Sequence, residues 1–367
     1  MNKLFIDSNS NTQFKIELLA ILAASLVYIL FTCIPALAID MESASDLDDT
    51  ANLTLVSNNP INEIKVLITD SKDFRIPSSH SLLGYIGRVK GMLKVNGFKY
   101  SGKLDLYKDM QGTYIVNSIP LENYVKSVVM SELTDYWSFE ALKTQAVIAR
   151  TYAVNHILNK PNSLYHLTSS TNHQMYRGNQ FSPMVSRAVD KTAGEVLTYD
   201  GKVIIAYYHS SSVDKTELPD EVFHKNYPYL KSVTTDSSLS PMSSWTRDIP
   251  YADFEAAVNV KGVEKVLIHS FTETGRVKFV KICGKDRDVI IETKDLRKLL
   301  GWKTLPSTMF TIADSTDKGV IIKGNGFGHG VGLSQWGALK MSRDGENYRT
   351  ILSHYYPGTI IKLYDDL

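Results

Sequence analysis

Four groups of residues have types and spacings that could carry chemistry. Ser131-Glu132-Leu133 sets one carboxylate beside the apolar Val128, Val129 and Leu133. Removing a carboxyl group from water favours its neutral form, so its pKa climbs towards neutrality. Such a group can donate a proton to a glycosidic oxygen and take one back. On its own the same residue also reads as a solvated helix-end carboxylate, the commonest state of glutamate. Lys143, Gln145 and Arg150 are polar residues in an otherwise apolar stretch. Either they orient Glu132 or a sugar substituent, or they snorkel and form structural ion pairs.

The run Gly324-Asn325-Gly326-Phe327-Gly328-His329-Gly330-Val331-Gly332-Leu333-Ser334-Gln335-Trp336-Gly337 places glycine at nearly every second position. That spacing allows positive φ and close backbone approach to a ligand, or simply a tight turn. It lacks the Gly-Lys-Ser/Thr ending of a phosphate loop and misses Gly-x-Gly-x-x-Gly. It is no nucleophile elbow either, because Trp336 stands where a second glycine is needed. His329, Gln335 and Trp336 make a carbohydrate-contacting set, an aromatic platform with hydrogen-bonding neighbours. His209-Ser210-Ser211-Ser212 with Asp214 has the residue types of a serine hydrolase. Triad members seldom come from one short segment, however, and nothing supplies an oxyanion hole. His166 and His173 fit no common zinc spacing and His-Glu-x-x-His is absent, so no metal and no cofactor is expected.

The elements that must position these residues begin at Ile61. Ile64–Ile68 and Tyr114–Val116 read as strands, and Gly91–Tyr107 alternates around Asn96-Gly97, a hairpin signature. The period then changes: Leu121, Val125, Val128 and Val129 share one face of a helix ending near Leu133. Ser138 is an N-cap, with Glu140 in the first turn, for a second helix to about Asn159 that is apolar nearly all round and so belongs inside the fold. Val203–Tyr208 reads as a strand. The segment 245–313 has its own character: a helix near Asp253, strands at Val266–His269 and Arg276–Ile282, and a short helix Lys294–Leu300. Phe310–Ile312 and Val320–Ile322 return as strands. The predicted class is α+β, a mixed domain over 61–367 with a buried central helix and several short strands, carrying a small inserted α/β subdomain at about 245–313.

A chain of 367 residues with 43% hydrophobic and 22% charged residues is globular in composition. Its 40 Lys and Arg nearly balance its 39 Asp and Glu, so no global basic field recruits nucleic acid. Lys3 and Lys15 precede an apolar run from Leu18 to Ile34, followed by Pro35 and Ala36-Leu37-Ala38. The run exceeds the ~7–15 residues of an ordinary signal core and reaches the ~17-residue lower limit for spanning a bilayer. Residues 1–38 therefore read as a signal peptide or, uncleaved, as a membrane anchor; either places the remainder outside the cytoplasm. Residues 39–60, rich in Ser, Asp, Asn and Thr, read as a flexible linker. Of two cysteines, Cys33 lies in the export segment, so Cys283 has no partner and the domain is held by its core.

Taken in order, several motifs resemble the SpoIID/LytB family, of stage II sporulation protein D and an amidase enhancer. They are Leu121-Glu122-Asn123-Tyr124-Val125, Ser131-Glu132-Leu133, Glu140 to Ala153, Gln174-Met175-Tyr176-Arg177-Gly178 and Tyr208-His209-Ser210-Ser211-Ser212. Pro228-Tyr229-Leu230, Gly326 to Ala338 and His354-Tyr355-Tyr356-Pro357-Gly358-Thr359 complete the set, which spans roughly residues 61 to 365. The resemblance implies a peptidoglycan lytic transglycosylase that leaves 1,6-anhydro-MurNAc ends, with Glu132 as its single acid/base. It implies Lys143, Gln145, Arg150, Tyr176, His209, Ser210, Ser211, His329 and Gln335 as substrate-binding residues. The implied partners are glycan strands and a cell-wall amidase; the enhancer branch supplies the rival reading, a non-catalytic wall-binding protein. The chain departs from the family pattern at Thr134, at Val213-Asp214, and at His173, where zinc-binding members have a cysteine.

Overall fold

The computed structural model describes residues 61–68, 84–89, 91–110 and 112–367, together with the two-residue strand Leu47–Asp48. Residues 1–38, read as a signal peptide or anchor, and most of the 39–60 linker lie outside the described residues. The architecture is mixed α+β, with short strands distributed over several small sheets. The largest has six strands in the order Leu47–Asp48, Gly84–Val89, Lys103–Lys108, Thr113–Pro120, Glu63–Leu67, Leu167–Thr168. All neighbours are antiparallel except the last pair. The Asn96-Gly97 hairpin forms: both residues have positive φ, and Leu93–Val95 pairs with Phe98–Tyr100, as the right-handed strand twist requires of a two-residue loop.

Two helices share this sheet's hydrophobic core. Helix α1 (Leu121–Glu132) buries Leu121, Tyr124, Val125, Val128 and Val129. Helix α2 (Phe139–Asn159) starts at Ser138, whose hydroxyl accepts the Ala141 amide at 3.3 Å, and between Thr144 and Val154 it is buried on every side. Leu142, Ala146, Ala149, Ala153 and Val154 pack with α1 and the sheet. Val147 and Ile148 pack into a second core built with Leu197, Leu230, Leu333, Ile351 and Tyr356. At 21 residues α2 is no membrane helix; among the described residues none is long and apolar enough to cross a bilayer.

Arg150, in the middle of α2, is 0% exposed. Its Nε and Nη2 donate to the two Glu122 carboxylate oxygens, each at 2.7 Å, and Nη1 donates to the Glu195 carbonyl at 3.1 Å. The residue expected in the substrate site is thus a clamp between α2 and the first turn of α1.

The stretch read as one strand, Val203–Tyr208, is instead divided between two sheets. Lys202–Val203 pairs with Glu195–Tyr199, and Tyr208–His209 runs parallel to Leu333–Ser334. Residues 245–324 have a separate core of Trp245, Ile249, Phe254, Val266, Val280, Ile282, Leu296 and Val320. Two three-stranded sheets build it: Trp245–Pro250, Gly319–Gly324, Phe310–Ser315 and Val263–Phe271, Val277–Gly284, Asp288–Glu292. The strands Trp245–Pro250 and Asp288–Glu292 are additional to those read from the sequence.

Arg150 is buried while Glu122 keeps some contact with water, so its removal costs hydrogen bonds and packing more than a stranded charge. Arg150→Met is therefore expected to lower unfolding stability by ~1–3 kcal/mol in denaturant titrations; no measurable loss would contradict the clamp.

Candidate active site

Glu132 is the last residue of α1, where no basic side chain follows in the turn and the helix dipole presents its negative end. Its Oε1 accepts the Met175 backbone N–H and the Tyr208 hydroxyl, each at 3.0 Å, and its Oε2 accepts Gln335 Nε2 at 3.4 Å. Burial pushes its pKa up, against the lowering by these three donors and by the more distant Arg177. The carboxyl therefore stays neutral to higher pH than an ordinary glutamate, yet has donors in place for its charged form.

The carboxyl opens onto a cleft of about 280 Å³. One wall is the loop Thr171-Asn172-His173; the other carries Ser210, Gly328, His329 and Gln335, with Tyr152, Tyr207 and Phe223 as aromatic surface. Tyr207 and Phe223 stack at 4.2 Å between centroids. Among the described residues lining the cleft, Glu132 is the only carboxylate.

The glycine-rich run interlocks with residues 207–217. Phe327 bridges Ser211, Val331 bridges Glu217, and Leu333–Ser334 pairs with Tyr208–His209. A Cβ at Gly332 would lie 2.0 Å from the Tyr207 carbonyl oxygen, and one at Gly326 2.5 Å from that of Ser211. The glycines thus admit the protein's own backbone, the plain turn reading, and they do so at positive φ.

Of the residues predicted for the site, Glu132, His209, Ser210, His329 and Gln335 line the cleft. His209 is committed within the protein. Its Nδ1 meets the Val331 carbonyl oxygen at 3.1 Å and so carries the proton, while Nε2 accepts the Ser212 hydroxyl at 2.6 Å. His329 Nδ1 accepts the Val331 amide at 3.0 Å. Burial pulls both imidazoles down, His329 to about 4, so both are neutral at pH 7. Ser211 is buried, with its hydroxyl receiving that of Ser240 at 3.2 Å.

The others sit elsewhere. Gln145 stands behind the cleft, its Oε1 accepting Gln335 Nε2 at 3.4 Å. Lys143 pairs with Glu140 at 2.6 Å and lies over the Tyr348 ring, because that turn of α2 faces the C-terminal helix Tyr348–Tyr355. Tyr176 is 0% exposed and donates to Asn117 Oδ1 at 2.6 Å beneath the sheet. Trp336 packs against Trp137 at 5.0 Å and is absent from the cleft lining.

Thr171, Asn172, Tyr152, Tyr207 and Phe223 were not identified from sequence; the neighbouring Met175 contributes only backbone, which no side-chain pattern reveals. The residues do not fit the zinc site of some family members. His173 Nδ1 is taken by the Thr168 hydroxyl at 2.8 Å, and the free cysteine, Cys283, lies in the 245–324 segment. Among the described residues no cluster of three or more His, Cys, Asp or Glu could hold a metal.

Residues 109–199 match the family described as SpoIID, stage II sporulation protein, and residues 244–332 match a domain of unknown function, DUF8618. The chain is 35% identical over 289 residues to an uncharacterized protein of Brachyspira hyodysenteriae, across 77% of each chain. It is 33% identical over 267 residues to stage II sporulation protein D of Bacillus subtilis, across 67% of this chain and 75% of that one. It is 30% identical over 291 residues to the amidase enhancer of Bacillus subtilis, across 65% of this chain and 40% of that protein.

Two measurements check the carboxyl's environment. Tyr208→Phe removes a donor to the charged form, so the Glu132 pKa, followed by carboxyl ¹³C NMR, should rise further; a fall or no change contradicts the geometry. Between the ordinary glutamate pKa and the raised one, the folded protein holds a proton that the unfolded chain has lost, so stability declines as pH rises through that window. Glu132→Gln removes this decline. It should gain melting temperature relative to wild type above the window, with the gap closing in acid.

Proposed function

The chain belongs to the SpoIID family, and on that premise we propose that it is an exported peptidoglycan lytic transglycosylase with Glu132 as its acid/base. The observation that carries the reading is the solitary carboxyl with a raised pKa in an aromatic-walled cleft. Ordinary retaining and inverting glycosidases use two carboxylates. A lytic transglycosylase can use one, because the substrate supplies its own nucleophile.

In the proposed reaction, protonated Glu132 gives its proton to the oxygen linking N-acetylmuramic acid to N-acetylglucosamine as that C–O bond breaks. The resulting carboxylate is held by the Met175 amide, Tyr208 and Gln335. It then takes the proton from the C6 hydroxyl of the muramic acid as that oxygen bonds to the anomeric carbon. The products are a 1,6-anhydro end and a free hydroxyl, and Glu132 is protonated again. Opposed forces on one group, desolvation against three donors, let it serve in both charge states. The neutral imidazoles of His209 and His329 add no positive charge to that of Arg177, whose lowering effect burial outweighs. The apolar run near the N-terminus supports an extracytoplasmic location, by secretion or anchoring.

The similarity to a protein named amidase enhancer favours a second reading, a wall-binding protein without catalysis that recruits or stimulates an amidase. Digestion of purified glycan strands, read by mass spectrometry, separates the two. Anhydro ends from wild type and a loss of at least ~10²-fold in Glu132→Gln are expected, the scale of a general acid. Strand binding by both proteins with anhydro ends from neither would support the enhancer reading.

A further inference from the structure

The 245–324 segment carries a cleft larger than the one beside Glu132, about 620 Å³ against about 280 Å³. Every lining residue lies between Ser244 and Asn325, inside the span matched by the domain of unknown function. At its rim Phe271 is 56% exposed, a large ring left in water at the end of a strand. Thr246, Lys323 and Thr311 are register partners across three strands, so their side chains leave the sheet on one face in a single row. All three are exposed and line the cleft. Lys323 has no ion-pair partner among the described residues. An open aromatic ring with a row of hydroxyls and one ammonium matches a sugar that carries an acidic peptide: apolar ring face on the aromatic, hydroxyls on hydroxyls, a peptide carboxylate on the ammonium.

Two connections join this cleft to the one at Glu132. From Lys323 the chain runs through Asn325 directly into Gly326–His329, and Trp245 Nε1 donates to the Gly326 carbonyl at 2.9 Å. The turn bearing Phe271 and Gly275 also presents an inner side to the main domain. Thr272 and Thr274 donate to Glu217 at 2.8 and 2.7 Å, and the buried Arg276 donates to Ser212 Oγ at 2.8 Å. Ser212 in turn holds His209.

We propose that the Phe271–Lys323 cleft is a second binding site for the glycan strand, taking sugar–peptide units of the same polymer beyond the bond that is cut. This rests on peptidoglycan as the substrate. The test uses the full chain in the Glu132→Gln background, so that strands are not consumed, and compares it with the same protein carrying Phe271→Ala and Lys323→Ala. The probes are purified long glycan strands bearing stem peptides and a tetrasaccharide cut from them, with affinity measured by sedimentation and calorimetry. Wild-type surface should bind long strands more tightly than the tetrasaccharide. The double substitution should weaken long-strand binding roughly ten-fold, the scale of one aromatic contact with one charge contact, and erase the length dependence. Both side chains are exposed, so an unchanged melting temperature excludes a folding defect. Equal long-strand affinity for the two proteins, or no strand binding by either, overturns the proposal. Loss of binding in the double variant while wild type yields no anhydro ends would sink the transglycosylase reading and leave the cleft. Anhydro ends with unchanged binding would do the reverse.

Discussion

Between Thr144 and Val154 helix α2 is buried all round, so the polar groups on that stretch depend on partners inside the protein. The solutions are few and specific. Thr144 and Thr151 bond back to carbonyls one turn earlier. Arg150 takes both oxygens of Glu122. Gln145 reaches Gln335, which also reaches Glu132. Because the helix sits between two apolar cores, it fixes α1 on one side and the C-terminal helices on the other. The carboxyl at the end of α1 and the amide at the start of Gln335–Arg343 therefore meet at a set distance.

That meeting sets the chemistry. Burial and the negative end of α1 both oppose charge on Glu132, while an amide, a phenol and a carboxamide favour it. Burial prevails, and the pKa is raised. Its donors are already in place for the charged form, so a change of protonation state there needs little rearrangement.

What could be read in advance was whatever is written locally. The Asn96-Gly97 turn, the Ser138 cap, the two helices and the apolar neighbours of Glu132 all follow from residues within a few positions of one another. The roles of Arg150, Lys143 and Tyr176 do not. A charge on an apolar helix is equally a ligand contact or a clamp until its partner is known, and Glu122 lies 28 residues away. The His209 segment is decided 122 residues away, at Val331. At Gly326 and Gly332 of the glycine-rich run the close approach is by the protein's own backbone, whereas Gly328 and His329 line the cleft. Helices Gln335–Arg343 and Tyr348–Tyr355 give little periodic signal, because their apolar faces are short and follow that run.

Trp245–Pro250 and Gly319–Gly324 are antiparallel neighbours, with Trp245 opposite Gly324. To the surrounding domain, everything between them is equivalent to one long hairpin. The entropy of closing so large a loop falls on the segment's own core, and grows only slowly with length in any case. Here, then, is a natural graft point: its contents can be lengthened, shortened or exchanged over evolution while Gly326–Gln335 keeps its place. A change made there alters what the segment presents to solvent without moving the residues around Glu132.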